Sequence, residues 1–148
     1  MKKLLLGIAA VCLAGFTFAQ DAPLWMRHSV ISPDGTTIAF TYKGDIYTVP
    51  VAGGRAMQIT TNPAYDTAPV WSPDSKRIAF ASDRMGSLDV YIVAKDGGEP
   101  RRLTTHSGSE TPLAFTDAGH VLFSAGIMPS AEAVVFPSNG QFNQVYRV

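Results

Sequence analysis

Ser32-Pro33-Asp34-Gly35-Thr36-Thr37-Ile38-Ala39-Phe40 returns forty residues further on as Ser72-Pro73-Asp74-Ser75-Lys76-Arg77-Ile78-Ala79-Phe80. A second block trails each copy. Asp45-Ile46-Tyr47-Thr48-Val49, Gly53-Gly54 and Ile59-Thr60-Thr61 reappear forty-four residues later as Asp89-Val90-Tyr91-Ile92-Val93, Gly97-Gly98 and Leu103-Thr104-Thr105. The four extra residues fall in Ser82-Asp83-Arg84-Met85-Gly86-Ser87-Leu88, so one hairpin is longer than its counterpart. A weaker third copy runs from Phe115 to Phe123, and Gln144-Val145-Tyr146-Arg147-Val148 takes the place of Asp89–Val93.

A period of about 40–45 residues, each unit holding four short strands, is the mark of propeller blades. The second unit predicts strands at Ala68–Ser72, Arg77–Ser82, Asp89–Ala94 and Arg101–Thr104, separated by stretches rich in turn formers. Pro33 and Pro73 preset φ for a turn, and the following Asp can bond nearby amides. Gly35 suits a left-handed turn position; Ser75, in the second copy, suits it less well. Along Arg77–Ser82, Ile78 and Phe80 alternate with Ala79 and Ala81, and Ile38, Phe40 and Tyr42 oppose Ala39. One bulky and one small face is what radially stacked sheets need, because neighbours cover both sides of each blade. The fold class is therefore all-β: a partial β-propeller of two complete four-stranded blades plus part of a third. Closed rings typically have about 4–8 blades, so the reading is of an N-terminal piece of a longer protein.

Residues 1–19 stand apart from this pattern. Met1-Lys2-Lys3 precedes an uncharged, mostly apolar run from Leu4 to Phe18, and Thr17-Phe18-Ala19 offers a small-x-small site before Gln20. That order is a secretory signal peptide, and the run is short against the roughly 20 residues of a spanning helix. The expected domains are the signal, 1–19, and an incomplete propeller, 20–148. Periplasmic or secreted localisation follows, with no membrane segment in the mature form. The sole cysteine, Cys12, follows Val11 rather than the small residue of a lipoprotein signal, and it leaves with the signal. Cleavage also removes Lys2 and Lys3, leaving ten Lys+Arg against twelve Asp+Glu, a formal −2. No basic excess recommends a nucleic-acid partner.

The string Trp71-Ser72-Pro73-Asp74, Arg77-Ile78-Ala79-Phe80, Asp89-Val90-Tyr91, Gly97-Gly98 and Arg102-Leu103-Thr104 resembles the repeat of TolB-type propellers, shared with tricorn proteases and some prolyl-oligopeptidase relatives. TolB proper sets an α/β domain before its propeller. Here the first blade motif begins about a dozen residues after Ala19, which leaves no room for one. Ala22-Pro23-Leu24-Trp25-Met26-Arg27, Thr41-Tyr42-Lys43-Gly44-Asp45-Ile46-Tyr47 and Phe136-Pro137-Ser138 are similar to the start of secreted tricorn-like serine peptidases. That resemblance implies a parent acting on peptide or protein substrates through a C-terminal core, with the propeller gating or docking them. It leaves homo-oligomerisation of the parent open. A TolB-like propeller for envelope protein interactions is the alternative.

Within the chain the expected assignment is no catalytic residue, no cofactor and no metal. There is no Gly-x-Ser-x-Gly elbow, and His106 with Ser107-Gly108-Ser109-Glu110 reads as a polar loop between blades. His28, His106 and His120 lack ligand spacing. Asp83-Arg84 reads as a local ion pair or turn bond rather than a substrate clamp, and Asp45 and Asp89, at equivalent strand starts, read as a structural turn role repeated per blade. Asp66 is expected to bond the start of its blade. Trp71 is expected between sheets with its indole N–H engaged, and His120 in an exposed turn. The stretch Ala125–Gly140 breaks the repeat and reads as a long loop over the propeller.

Overall fold

The Ser-Pro-Asp turns are built the same way twice. Ser32 Oγ donates to Asp34 Oδ1 at 2.6 Å, the Thr36 N–H donates to the same oxygen at 3.0 Å, and the Thr37 N–H reaches back to Ser32 Oγ at 3.0 Å. Ser72, Asp74, Lys76 and Arg77 repeat the set at 2.5, 3.2 and 2.9 Å. Gly35 sits at φ 73° and Ser75 at φ 57°, so the serine accepts the left-handed conformation that glycine takes more cheaply. Its Oγ also accepts the Asp34 N–H at 3.1 Å, tying the two turns together. In the third copy Asp117 Oδ1 accepts from the Gly119 and His120 amides at 2.7 and 3.0 Å.

These turns join antiparallel strands in a computed structural model that describes residues 25–126 and 144–148. Blade 1 is β1 (Arg27–Ile31), β2 (Thr37–Tyr42), β3 (Asp45–Pro50) and β4 (Met57–Gln58), paired in that order. Blade 2 is β5 (Asp66–Trp71), β6 (Arg77–Ser82), β7 (Asp89–Ala94) and β8 (Arg101–Arg102). Blade 3 contains β9 (Glu110–Phe115), β10 (Val121–Ala125) and β11 (Gln144–Arg147). The fold is an all-β partial propeller. Strand β5 begins two residues earlier than the sequence suggests, and β8 ends before Thr104, whose hydroxyl instead accepts the Val90 N–H at 2.9 Å. Tyr146 of β11 pairs with Phe123 as Tyr91 pairs with Phe80, so the third unit follows the same register. The signal-like residues 1–19 and most of the Ala125–Gly140 stretch lie outside the described residues.

Bulky faces lie on small faces. Ile78, Phe80, Tyr91 and Val93 of blade 2 pack with Trp71 against Ala39, Ile46 and Ile59 of blade 1. The other side of blade 2, Ala79 and Val90, receives Val121, Phe123 and Ala125 of blade 3. Each interface thus interdigitates large with small residues, as close packing demands. Trp71 stands between sheets, and its Nε1–H donates to the Val30 carbonyl at 3.2 Å.

The chain crosses from blade to blade by a repeated stitch. Ile46 N–H donates to Thr60 Oγ1 at 3.0 Å, and the Asp66 N–H, opening the next blade, donates to the Gly44 carbonyl at 2.7 Å. Val90 with Thr104 and Glu110 with Leu88 repeat this at 2.9 and 2.6 Å. The first strands β1, β5 and β9 lie side by side. The register slips opposite Phe40 in blade 1, opposite Phe80 in blade 2 and between Leu122 and Phe123 in blade 3, and the bulge residues His28 and Ala68 both take φ 51°.

Candidate functional site

The polar side chains of these seams gather at the end where β1, β5 and β9 begin. Asp66 is fully buried at the start of β5, and both of its oxygens accept from Arg84 Nη2 at 3.1 Å. Arg84 also donates from Nε to Ser82 Oγ at 2.8 Å, and its guanidinium lies 4.5 Å from the Tyr91 ring centroid. Such a stack desolvates the cation while the carboxylate satisfies it. The sequence reading of Asp83-Arg84 as a local pair is corrected here. Asp83 turns the other way and accepts the Tyr65 N–H at 2.8 Å. The cause is the longer hairpin, which folds Arg84 back across its own blade to reach β5.

At the second seam Asp89, fully buried, pairs with Arg102 at 2.8 Å. Beside them Glu110 opens β9 and is 2% exposed. Burial pushes its carboxyl above the ordinary range; a hydrogen bond from Thr104 opposes this, and the Asp89 charge adds to the rise. Asp45 is also raised, first by burial and then by the neighbouring charge of Asp66, while Gln58 Nε2 and Thr60 Oγ1 donate to it at 3.0 and 3.4 Å. Asp45 and Asp89 thus play one structural part in successive blades. Glu110 departs from the polar-loop reading. It stands where Asp66 stands in the preceding blade, and Glu110-Thr111 set beneath Asp66-Thr67 was the signal for it.

The remaining candidates do not converge. His28 Nδ1 lies 3.1 Å from Thr67 Oγ1, His106 Nδ1 accepts the Gly108 N–H at 3.0 Å, and His120 pairs with Asp117 in an exposed turn at 2.9 Å. Among the described residues no three His, Cys, Asp or Glu side chains come together as a metal set. One open recess is instead apolar. Ile38, Phe40, Tyr42, Tyr47 and Val49, with Met26, line an open groove of about 700 Å³ on the bulky face of blade 1. It is the face that blade 2 presents to blade 1 and blade 3 presents to blade 2.

Residues 23–144 match the family described as the tricorn protease N-terminal beta propeller domain. The chain belongs to that family. Tricorn protease homolog 1 of Streptomyces coelicolor is 35% identical over 102 residues, which are 68% of this chain and 9% of that protein. The uncharacterized peptidase YuxL of Bacillus subtilis is 30% identical over 129 residues, 86% of this chain and 20% of its own. This tricorn-type propeller therefore spans a fifth or less of either relative. Among solved structures, TolB from Acinetobacter baumannii superposes with a TM-score of 0.64 at 22% identity, over 82% of this chain and 29% of that one. That likeness is one of fold.

Proposed function

We propose that these blades are the non-catalytic N-terminal propeller of an exported tricorn-like serine peptidase, where they dock or gate peptides on the way to a C-terminal core. The observation that carries this reading is the 35% identity to a tricorn protease homologue of which the matched segment is only 9%. The open bulky face of blade 1 supports it too. In both seams such a face is covered by the small face of another blade, so a ring completed by further blades is the natural setting. The two ends of the molecule, residues 1–19 as a cleaved signal and 20–148 as propeller, fit the same proposal with a periplasmic or secreted product.

The test is made on the full-length parent. Peptide hydrolysis by the parent, and none by the purified 148-residue chain, is the expected result; turnover by the short chain overturns the non-catalytic assignment. N-terminal sequencing of the exported product is expected to begin at Gln20. The alternative, a TolB-like propeller for protein interactions in the envelope, is favoured by the structural likeness to TolB. A parent that binds an envelope protein and hydrolyses no peptide would decide for it.

A further inference from the structure

At the first seam, on the face where β1 begins, lies a second recess of about 380 Å³ lined by Trp25, Arg27, Thr41, Lys43, Gly44 and Tyr65. Its composition is unlike that of the apolar groove. Trp25 is 68% exposed and Tyr65 43% exposed, two large aromatics left in water. The Arg27 guanidinium lies 5.9 Å from the Trp25 ring centroid, and Lys43 Nζ lies 5.3 Å from that of Tyr42. Among the described residues neither cation forms an ion pair with a carboxylate. Thr41 is 2% exposed, yet its Oγ1 has no hydrogen-bond partner. A buried hydroxyl without a partner is costly unless something comes to meet it.

The repeat provides the internal control. At the second seam Thr67 stands in the place of Arg27, Ala81 in that of Thr41 and Ser109 in that of Tyr65. Arg27, the Thr41 hydroxyl and the Tyr65 ring thus have no like residue at the matching positions, although Tyr65 itself takes the place of Trp25 there. The constellation is therefore not something the fold requires. Asp83 accepts the Tyr65 N–H at 2.8 Å, which ties the backbone at Tyr65 to the β6–β7 hairpin.

We propose that this cleft binds an acidic side chain of a peptide, with Arg27 and Lys43 supplying the charge, Thr41 donating a hydrogen bond, and Trp25 and Tyr65 flanking the neighbouring residue. Aromatic and cationic groups around a desolvated centre are the usual composition of a recognition hot spot. The inference rests on the cleft alone and holds whether the blades serve a peptidase or a binding propeller.

Calorimetric titration of the purified full chain with an end-capped peptide of alternating leucine and glutamate tests it, the glutamine counterpart serving as control. The glutamate peptide is expected to bind at least about tenfold more tightly, with affinity falling as salt rises. Arg27→Gln and Lys43→Gln, both exposed positions, are each expected to weaken binding about tenfold while the melting temperature holds. Thr41→Val reports on the hydroxyl, and its own melting curve separates lost binding from lost fold. Equal binding of the two peptides overturns the proposal, as does glutamate binding that survives both charge substitutions. A glutamine peptide with a free C-terminus that binds as well as the capped glutamate peptide overturns the side-chain assignment.

Discussion

One aromatic pair recurs in all three blades, and its copies in the first two have different surroundings. Phe80 and Tyr91 stack at 6.0 Å between ring centroids, covered by blade 1 and capped by Arg84. Phe40 and Tyr47 stack at 5.8 Å in the equivalent strands, but they line the open groove, and the two-residue turn at Lys43-Gly44 sends no arginine back over them. Phe80 is wholly buried whereas Phe40 keeps 7% exposure. Identical strand patterns therefore end in unequal environments. What a neighbouring blade and a hairpin four residues longer add is the second layer of contact, and dispersion is lost wherever that layer is missing.

The sharpest way to break this comparison is to truncate both phenylalanines. Phe80→Ala is expected to lose about 3–5 kcal/mol in urea denaturation. Phe40→Ala should lose about half as much, because its side of the sheet has fewer atoms to leave behind. Equal losses would mean that coverage by a neighbour adds nothing.

Next comes the arginine that distinguishes the blades. Arg84→Met leaves Asp66 buried and unpaired, at a cost of about 3 kcal/mol. Adding Asp66→Asn should recover most of it, and a double-mutant cycle measures the coupling. Additive losses would show the ion pair to be incidental to the seam.

The acid groups sharpen the contrast between seams and turns through pH. Glu110 is raised by burial, so the stability it contributes is full below its ordinary value of 4.5 and is lost as pH rises through the folded-state value. Glu110→Gln is therefore expected to be more stable than the parent chain near neutrality, with the difference closing as pH falls. Asp34 and Asp74 have the opposite sign. Hydrogen bonds from Ser32 and Ser72 lower them first, with the Thr36 and Lys76 amides next, so their contribution is present above 3.8 and lost as pH drops through their folded-state values. Asp74→Asn should flatten the acid limb of a stability profile and leave its neutral region unchanged in slope.

Smallest is the difference between the two turns. Gly35→Ala, at φ 73° with no atom within 4 Å of the added carbon, is expected to cost about 1 kcal/mol from backbone conformation alone. Ser75→Gly relieves the same strain but loses the bond from the Asp34 amide, so its net change should stay within about 0.5 kcal/mol. A larger gain would show that the bond between the turns contributes little.

Much of the blade plan was legible before any coordinates. The Ser-Pro-Asp turns, the alternation of Ile78 and Phe80 with Ala79, and the equivalence of Tyr146 with Tyr91 all follow from residues close in the chain. Arg84 was harder to place, since its partner lies eighteen residues upstream in β5 and the adjacent Asp83 offered a nearer carboxylate. Glu110 was misread because a polar loop with His106 and two serines hides the first residue of a strand. The cleft around Thr41 had no sequence signal at all, as its walls come from β1, the β2–β3 hairpin and the residue before β5.

By itself, then, the amino-acid order determined the repeat length, the turn chemistry and the bulky and small faces of each strand. These depend on dihedral preferences and on the period of two, which neighbouring residues settle among themselves. Only the tertiary structure decided which carboxylate Arg84 meets, that Glu110 is buried, and that one Phe–Tyr pair is covered while its twin opens onto a groove. Those outcomes depend on how strands some forty residues apart stack, and on a hairpin long enough to fold back between them.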